Sequence, residues 1–277
     1  MDIIHVIILG IVEGITEFLP ISSTGHLTII EKMLGYQIDS VGITAFTAVI
    51  QIGAILSAVV YFWNDIVKIT TAWISGLLNK EKRNIDYKMG WFIIIGSIPI
   101  AIVGLLLKDI IESEFRSLWV VVAGLIVWSV VLVVADRVNK EKRGESDITI
   151  KDIITMGTMQ CFALVPGVSR SGATISAGLF RGIDRTTATR MSFFLGIPAL
   201  VAAGILEAIT KSDDILETVG LMPSIVGMIS SFLVGYISIA WLLKFVSRHN
   251  FNSFVVYRIC LAIVIIVLLT SGTISAV

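Results

Sequence analysis

The chain has 277 residues, of which 56% are hydrophobic and 15% charged, and its formal net charge at pH 7 is zero. Soluble domains carry about 25% charged residues, so this composition, with a mean hydropathy of +0.92, indicates a membrane protein. A chain without net positive charge lacks the basic face that a nucleic-acid partner requires, so no nucleic-acid binding is expected.

Six apolar stretches are long enough to cross a bilayer as helices, because about 20 residues span its hydrocarbon core. They cover approximately residues 41–62, 89–107, 117–135, 187–210, 220–245 and 253–271. No linker rich in Gly, Ser or Pro divides the chain, so residues 1–277 are expected to form a single integral membrane domain. Cys161 and Cys260 lie in apolar stretches without metal-ligand spacing, and we expect both to be buried small side chains.

Two further apolar stretches, about 2–35 and 152–182, are each interrupted by a proline that hydroxyl residues follow. Pro20 breaks the first stretch, and Pro166 with Gly167 breaks the second. Proline removes a helical hydrogen bond and clashes with the preceding turn, so neither stretch should cross the bilayer as one straight helix. We therefore expect two re-entrant helix–loop–helix elements, each of which enters and leaves on the same side.

Lysine and arginine are distributed unevenly between the two sides that this arrangement predicts. Fifteen lie on one side and four on the other, which the positive-inside rule assigns to cytoplasm and exterior. The larger set is Lys68, Lys80, Lys82, Arg83, Lys88, Arg137, Lys140, Lys142, Arg143, Lys151, Arg181, Arg185, Arg190, Lys244 and Arg248. The smaller set is Lys32, Lys108, Arg116 and Lys211. Both termini are therefore expected to face outward.

The predicted fold is an all-α polytopic membrane protein with an inverted-topology repeat. Residues 1–140 and 150–277 would each hold one re-entrant element followed by three spans, and the odd number of spans inverts the second repeat. The two interrupted segments can be aligned if the second contains one extra glycine, Gly167. The aligned pairs are then Ile21 and Val168, Ser22 and Ser169, and Gly25 and Gly172. Paired interrupted segments of this kind predict a site near the membrane midplane.

The first interrupted segment carries two glutamates followed by a hydroxyl and an imidazole. Glu13 and Glu17 are four residues apart, so both project from one helix face. Such a pair in an apolar helix is costly unless it is protonated, paired or bound to a cation, and oxygen ligands suit Mg²⁺ or Ca²⁺. Ser23 and His26 supply the groups that nucleophilic displacement requires. The alternatives are a solvated acidic pair and a structural histidine.

The second interrupted segment carries Arg170, the arginine placed deepest in an apolar stretch, whereas Arg258 lies near a span end. A guanidinium matches phosphate oxygens in a bidentate arrangement. Gly172 and the neighbouring serines would open the following half-helix, whose unpaired N–H groups attract anions. Gln160 could complete the polar lining. The alternative is that Arg170 only neutralises the glutamate pair.

Both segments resemble the signature stretches of the undecaprenyl-diphosphate phosphatase family of the bacitracin-resistance type, and the resemblance covers essentially the full length. They read Glu13-Gly-Ile-Thr-Glu17-Phe-Leu-Pro-Ile-Ser-Ser-Thr-Gly-His26 and Pro166-Gly-Val-Ser-Arg-Ser-Gly-Ala-Thr174. The resemblance implies hydrolysis of undecaprenyl diphosphate to the monophosphate and inorganic phosphate, which recycles the lipid carrier for peptidoglycan synthesis. It also implies bacitracin tolerance, a divalent cation, and a site that opens to the exterior of a bacterial cell membrane.

The resemblance also implies which residues carry the activity. Catalytic roles would belong to Glu17, Ser23, His26 and Arg170, and metal binding to Glu13 and Glu17. The resemblance implies that hydroxyl residues line the phosphate site, namely Ser22, Thr24, Ser169, Ser171 and Thr174. The sequence itself adds Gln160 and the two aligned glycines, Gly25 and Gly172, to the expected substrate-binding residues. A homodimer is left open.

The leading mechanism is an in-line attack on the terminal phosphoryl group by Ser23, with His26 or Glu17 taking its proton. A phosphorylated His26 and direct attack by water remain alternatives. The competing function is a lipid or ion-coupled secondary transporter or flippase, because transporters also combine inverted repeats with broken helices. The combination of hydroxyl, imidazole and guanidinium favours the hydrolase.

Overall fold

A computed structural model describes residues 1–37, 40–107, 117–140 and 143–276, apart from the side chains at 207 and 208. Within these ranges the chain forms twelve α-helices and no β-strand, so the predicted all-α fold is confirmed. They are α1 (Ile3–Thr16), α2 (Ser23–Met33), α3 (Val41–Tyr61), α4 (Trp63–Leu78), α5 (Ile85–Leu106), α6 (Leu118–Val138), α7 (Ile150–Gln160), α8 (Arg170–Phe180), α9 (Arg185–Thr210), α10 (Ser212–Thr218), α11 (Leu221–Val246) and α12 (Asn252–Thr270).

Six of these helices are long and apolar enough to cross a bilayer, and they coincide with the six predicted spans. They are α3, α5, α6, α9, α11 and α12, with spanning segments of 19 to 26 residues. A helix satisfies every backbone hydrogen bond within itself, which is the condition for crossing hydrocarbon. The chain is a multi-pass membrane protein.

Three details differ from the expectations. Residues 63–88 were expected to be a loop, but most of this segment forms α4 and a short 3₁₀ turn, Lys80–Lys82. The outer loop with Asp213 and Asp214 forms the short helix α10. Both segments contain too many polar residues to span a bilayer, which is why no helix was expected there. A helix can nevertheless form outside the hydrocarbon core. The expectation that both cysteines are buried was wrong: Cys260 of α12 is exposed, and Cys161, in the 3₁₀ turn that follows α7, is half-buried.

The predicted orientation depends partly on segments that the structure does not describe. Lys108, Arg116 and Lys142, three of the counted charges, lie outside the described residues. The assignment of cytoplasmic and exterior sides therefore stays a prediction.

Each interrupted stretch folds into two short helices whose open ends are tied together. In the first stretch, which comprises α1 and α2, Nδ1 of His5 lies 2.8 Å from the hydroxyl of Tyr36. In the second, which comprises α7 and α8, Nε of Arg181 donates to Asp152 at 2.8 Å. The chain thus returns, after each break, to the end from which it started. Re-entry into a bilayer stays a prediction.

The two breaks share an uncommon backbone conformation. Ser22 and Ser169 have φ angles of 75° and 76°, and they are the two non-glycine residues with positive φ in the described part of the chain. The serine hydroxyl oxygens accept from the backbone N–H of Gly25 at 3.4 Å and of Gly172 at 3.2 Å. The predicted alignment of these residues therefore corresponds to a shared geometry, whereas the division into repeats 1–140 and 150–277 stays a prediction.

Close glycine contacts hold each broken element against a span from the other half of the chain. A Cβ on Gly10 of α1 would lie 2.5 Å from the carbonyl oxygen of Gly227 in α11. A Cβ on Gly157 of α7 would lie 2.4 Å from the carbonyl oxygen of Gly96 in α5. Small residues allow this approach between membrane helices. The crossed packing brings the two breaks together in the interior.

Candidate active site

Arg258 of α12 joins the two breaks. Its Nη1 donates to the carbonyl oxygens of Pro20 and Val168, both at 3.1 Å, and its Nη2 donates to that of Gly167 at 2.8 Å. Its Nε donates to the hydroxyl of Ser129 in α6 at 3.1 Å. The side chain is fully buried and forms no ion pair within the described residues. Five donors in one plane suit this role, because the carbonyls of both breaks converge on them.

Beside this junction, Glu17, Ser23 and Arg170 form a connected cluster. Glu17 follows the last residue of α1, Ser23 begins α2, and Arg170 begins α8. The Ser23 hydroxyl donates to Oε2 of Glu17 at 2.8 Å, and Nη2 of Arg170 lies 3.3 Å from Oε1 of the same carboxylate. The acidic turn before Pro20 and the guanidinium after Pro166 therefore meet.

His26 makes no hydrogen bond to the Ser23 side chain in the described structure. Its Nδ1 lies 2.7 Å from the carbonyl oxygen of Ser22, and its Nε2 lies 2.6 Å from the hydroxyl of Tyr257 in α12. Both ring nitrogens are thus occupied by groups other than the Ser23 hydroxyl. Of the two bases considered for Ser23, the geometry favours Glu17.

The hydroxyl residues of the second break fasten it to its surroundings. Ser171 donates to the carbonyl oxygen of Leu19 in the first break at 3.0 Å, and its hydroxyl lies 3.1 Å from that of Ser169. Thr174 donates to the hydroxyl of Ser192 at 2.6 Å. Nη1 of Arg170 donates to the carbonyl oxygen of Ser192 at 2.9 Å, which fixes the guanidinium.

Three other predicted positions stay apart from this hydrogen-bonded cluster. Gln160 ends α7 fully buried, and both polar atoms of its amide lack a hydrogen-bond partner among the described residues. Thr24 is exposed, and its side chain makes no hydrogen bond in the described structure. Glu13 is buried in α1, and its Oε1 has no partner in that part of the chain either.

Four residues near the site were not among the predicted site residues. Tyr257 and Arg258 come from the last span, Ser192 from α9, and Glu31 from α2. Glu31 is buried, its Oε1 lacks a hydrogen-bond partner among the described residues, and it lies within electrostatic range of Glu13. Arg258 and Glu31 carried a usable signal, since ionisable residues within apolar segments are rare and functional. Tyr257 and Ser192 carried none.

The acidic residues of the site could supply only part of a cation's ligands. Within the described residues, no group of three or more His, Cys, Asp or Glu side chains is arranged to hold a metal ion. However, Mg²⁺ is commonly held by one or two carboxylates together with waters and substrate phosphate oxygens. Glu13, with its buried and unpartnered Oε1, and Glu17 fit such a site, which the substrate would complete.

Comparison with known proteins identifies the family. Residues 6–264 match the family described as "Bacitracin resistance protein BacA". The chain belongs to the bacitracin resistance protein BacA family. The resemblance inferred from the two motifs is thereby confirmed, and the BacA match includes both breaks as well as Tyr257 and Arg258.

Curated relatives of this chain align along its full length. An undecaprenyl-diphosphatase from Cutibacterium acnes is 55% identical, with 100% of both chains covered. Undecaprenyl-diphosphatase 3 from Frankia casuarinae is 51% identical, again with 100% of both chains covered. An undecaprenyl-diphosphatase from Acidothermus cellulolyticus is 49% identical over 100% of both chains.

Proposed function

We infer that this chain is an undecaprenyl-diphosphate phosphatase, which hydrolyses undecaprenyl diphosphate to undecaprenyl phosphate and inorganic phosphate. Full-length relatives at 49–55% identity carry that activity in their names. The observation that carries the assignment to this site is the Glu17–Ser23–Arg170 cluster, which brings a hydroxyl, a carboxylate and a guanidinium into contact. The product would re-enter peptidoglycan synthesis as the lipid carrier.

In the proposed reaction, Ser23 Oγ attacks the terminal phosphorus while Glu17 takes the hydroxyl proton. The bond from that phosphorus to the bridging oxygen breaks, and undecaprenyl phosphate leaves. Water then hydrolyses the phosphoserine and releases inorganic phosphate. The hydrogen bond of 2.8 Å between Ser23 and Glu17 supports this pairing, because a serine hydroxyl is a weak nucleophile without an adjacent base.

Arg170 would stabilise the charge on the equatorial oxygens of the transferring phosphoryl group. Its Nε is buried and has no hydrogen-bond partner among the described residues, so one donor remains for a phosphate oxygen. A divalent cation at Glu13 and Glu17 would supply further neutralisation of the diphosphate when bound. Preorganised charge of this kind usually contributes more to phosphoryl transfer than any other effect.

A phosphorylated His26 is less well supported than a phosphorylated Ser23. Attack by His26 needs a free ring nitrogen, and both nitrogens are occupied, one by the Ser22 carbonyl and the other by the Tyr257 hydroxyl. Direct attack by water, with Glu17 as its base, stays the remaining alternative.

We further propose that the enzyme lies in the bacterial cell membrane with its site open to the exterior, where bacitracin would compete for the same diphosphate. The uneven distribution of lysine and arginine supports this orientation. Binding of one substrate per chain requires no second copy, so a homodimer stays open.

A flippase or ion-coupled transporter is the second candidate, because the two breaks share the serine geometry that inverted repeats would produce. Phosphate release in detergent separates the candidates, since no gradient exists there. The purified chain should release phosphate from a polyprenyl diphosphate, and Ser23→Ala should abolish the release. Thr28→Val is the matched control, because among the described residues the Thr28 hydroxyl bonds only to the Thr24 carbonyl within its own helix. Appreciable turnover by Ser23→Ala would remove Ser23 as nucleophile, and no turnover by the unmodified chain would overturn the proposed function.

A further inference from the structure

Tyr257 contacts the site from the last span. Its hydroxyl lies 2.6 Å from Nε2 of His26. The two rings are parallel within 2°, with centroids 5.5 Å apart. His26 is buried, whereas Tyr257 is 45% exposed, so the tyrosine ring forms part of the outer surface of α12 while its hydroxyl points inward.

The hydrogen bonds place a proton on Nδ1 of His26. The Ser22 carbonyl oxygen can only accept, so Nδ1 of His26 must carry a proton. In the neutral imidazole Nε2 is then an acceptor, and the Tyr257 hydroxyl donates to it. The tyrosine thereby selects one tautomer and one ring orientation.

The effect of this contact extends to the nucleophile. His26 holds the carbonyl of Ser22, a residue in the left-handed conformation at φ 75°, which is unfavourable for a side chain other than glycine. Ser22 immediately precedes Ser23, and the Ser23 hydroxyl is held by Glu17. A change in the His26 ring would therefore be transmitted to the backbone that carries the nucleophile.

We propose that Tyr257 is a positioning residue of this active site, which acts through His26 to hold the Ser22–Ser23 backbone in its reactive conformation. The inference rests on the proposed function. It assigns Tyr257 no contact with the reacting phosphoryl group.

The test uses Tyr257→Phe, which keeps the stacked ring and removes the hydroxyl. Tyr236→Phe is the matched control, because Tyr236 is similarly exposed at 41% and its hydroxyl makes no hydrogen bond among the described residues. For hydrolysis in detergent, kcat of Tyr257→Phe should fall about three- to tenfold, the effect of one neutral hydrogen bond. KM should stay within about twofold, because substrate binding is unchanged. The control should match the unmodified chain.

A second readout observes His26 directly. The chain has three histidines, so selective ¹⁵N labelling gives three imidazoles, and a His26→Gln variant identifies the relevant signals. The unmodified chain should show His26 with its proton on Nδ1, and Tyr257→Phe should alter the Nε2 shift. The spectrum is informative even if the chain releases no phosphate, so failure of the proposed function is distinguishable from failure of this inference.

Four results would overturn the inference. They are a His26 proton on Nε2 in the unmodified chain, an unchanged kcat in Tyr257→Phe, a reduced kcat without a change in the His26 signals, and a raised KM with kcat unchanged. The last result would instead indicate direct contact between Tyr257 and the lipid substrate.

Discussion

Nη2 of Arg170 lies 3.3 Å from Oε1 of Glu17, although the two residues are 153 positions apart in the chain. Each belongs to a different broken element, so the contact exists only because both breaks reach the same place in the interior. Neither charge would be stable there alone, since an unpaired buried charge is strongly unfavourable. The pair also positions the Ser23 hydroxyl, which shares the Glu17 carboxylate.

Removal of divalent cations should abolish phosphate release, and added Mg²⁺ or Ca²⁺ should restore it. Glu13→Gln should then require a cation concentration at least about tenfold higher for half-maximal activity, because one of two carboxylate ligands is lost. The measurement is a cation titration of the chelated enzyme. Full activity of the unmodified chain in excess chelator would contradict the proposed cation site.

Replacement of Arg258 should destabilise the protein and inactivate it together. Arg258→Met leaves the buried carbonyls of Pro20, Gly167 and Val168 without a donor, which should cost about 3 kcal/mol or more. Arg258→Lys should be intermediate, since one ammonium cannot reach all of these acceptors. Thermal unfolding in detergent measures whether the melting temperature falls from the unmodified chain to Arg258→Lys and again to Arg258→Met. The exposed Arg248 provides the control, and a melting temperature of Arg258→Met equal to that of Arg248→Met would contradict the role of Arg258.

A methyl group added at Gly124 should displace the second break. Its Cβ would lie 2.4 Å from the carbonyl oxygen of Pro166, a backbone atom that cannot move aside alone. Gly124→Ala should therefore lower the free energy of unfolding by about 1–3 kcal/mol and reduce activity. Gly144→Ala is the control, because a Cβ there meets no atom within 4 Å. Equal stability and activity of the two variants would show that the break tolerates displacement.

The carboxylate of Asp152, outside the six spans, should make stability depend on pH. Its burial opposes ionisation, but hydrogen bonds from Arg143, Thr149 and Arg181 outweigh this effect and lower the pKa of Asp152 well below its usual range. A group with a lowered folded-state pKa stabilises the fold above its unfolded pKa of about 4, and the contribution is lost as pH falls through the folded pKa.

Asp152→Asn should consequently lower the melting temperature most at neutral pH, and the difference from the unmodified chain should shrink below about pH 4. Asp86→Asn serves as the control, since the partner of Asp86, Lys68, is mostly exposed, and such surface pairs contribute little. A difference at Asp152 that is constant across pH would contradict the ionic role.

Composition and apolar length were sufficient to predict the six spans, because the hydrocarbon thickness sets the length of a crossing helix. Proline alone does not mark a break. Pro99 and Pro198 lie inside α5 and α9, whereas Pro20 and Pro166 lie in breaks. A serine follows Pro20 and Pro166 within three residues, and its side chain caps the next half-helix: Ser22 caps α2 and Ser169 caps α8. These caps distinguish the two breaks from the prolines inside helices.

The contact between the two breaks was also predictable, because two oppositely charged motifs in apolar segments need each other. The partners of His26 were not. Tyr257 is an ordinary residue for a membrane span, and only the packing of α12 brings its hydroxyl to the imidazole. Likewise, six carbonyl and hydroxyl contacts of Arg258 come from three separate parts of the chain, whose meeting no local pattern encodes.

The central claim is that the two broken elements build one phosphate site, and a double-mutant cycle of Glu17→Gln and Arg170→Gln on kcat/KM for phosphate release tests it most directly. Each single variant should lose roughly 10²- to 10³-fold, the range for a catalytic base or a charge-stabilising donor. The kcat/KM of the double variant should be no more than about tenfold below that of the less active single variant, because the effects of residues that act as a unit are strongly non-additive. A loss in the double variant equal to the product of the two single losses would show that Glu17 and Arg170 act independently, and would contradict the account.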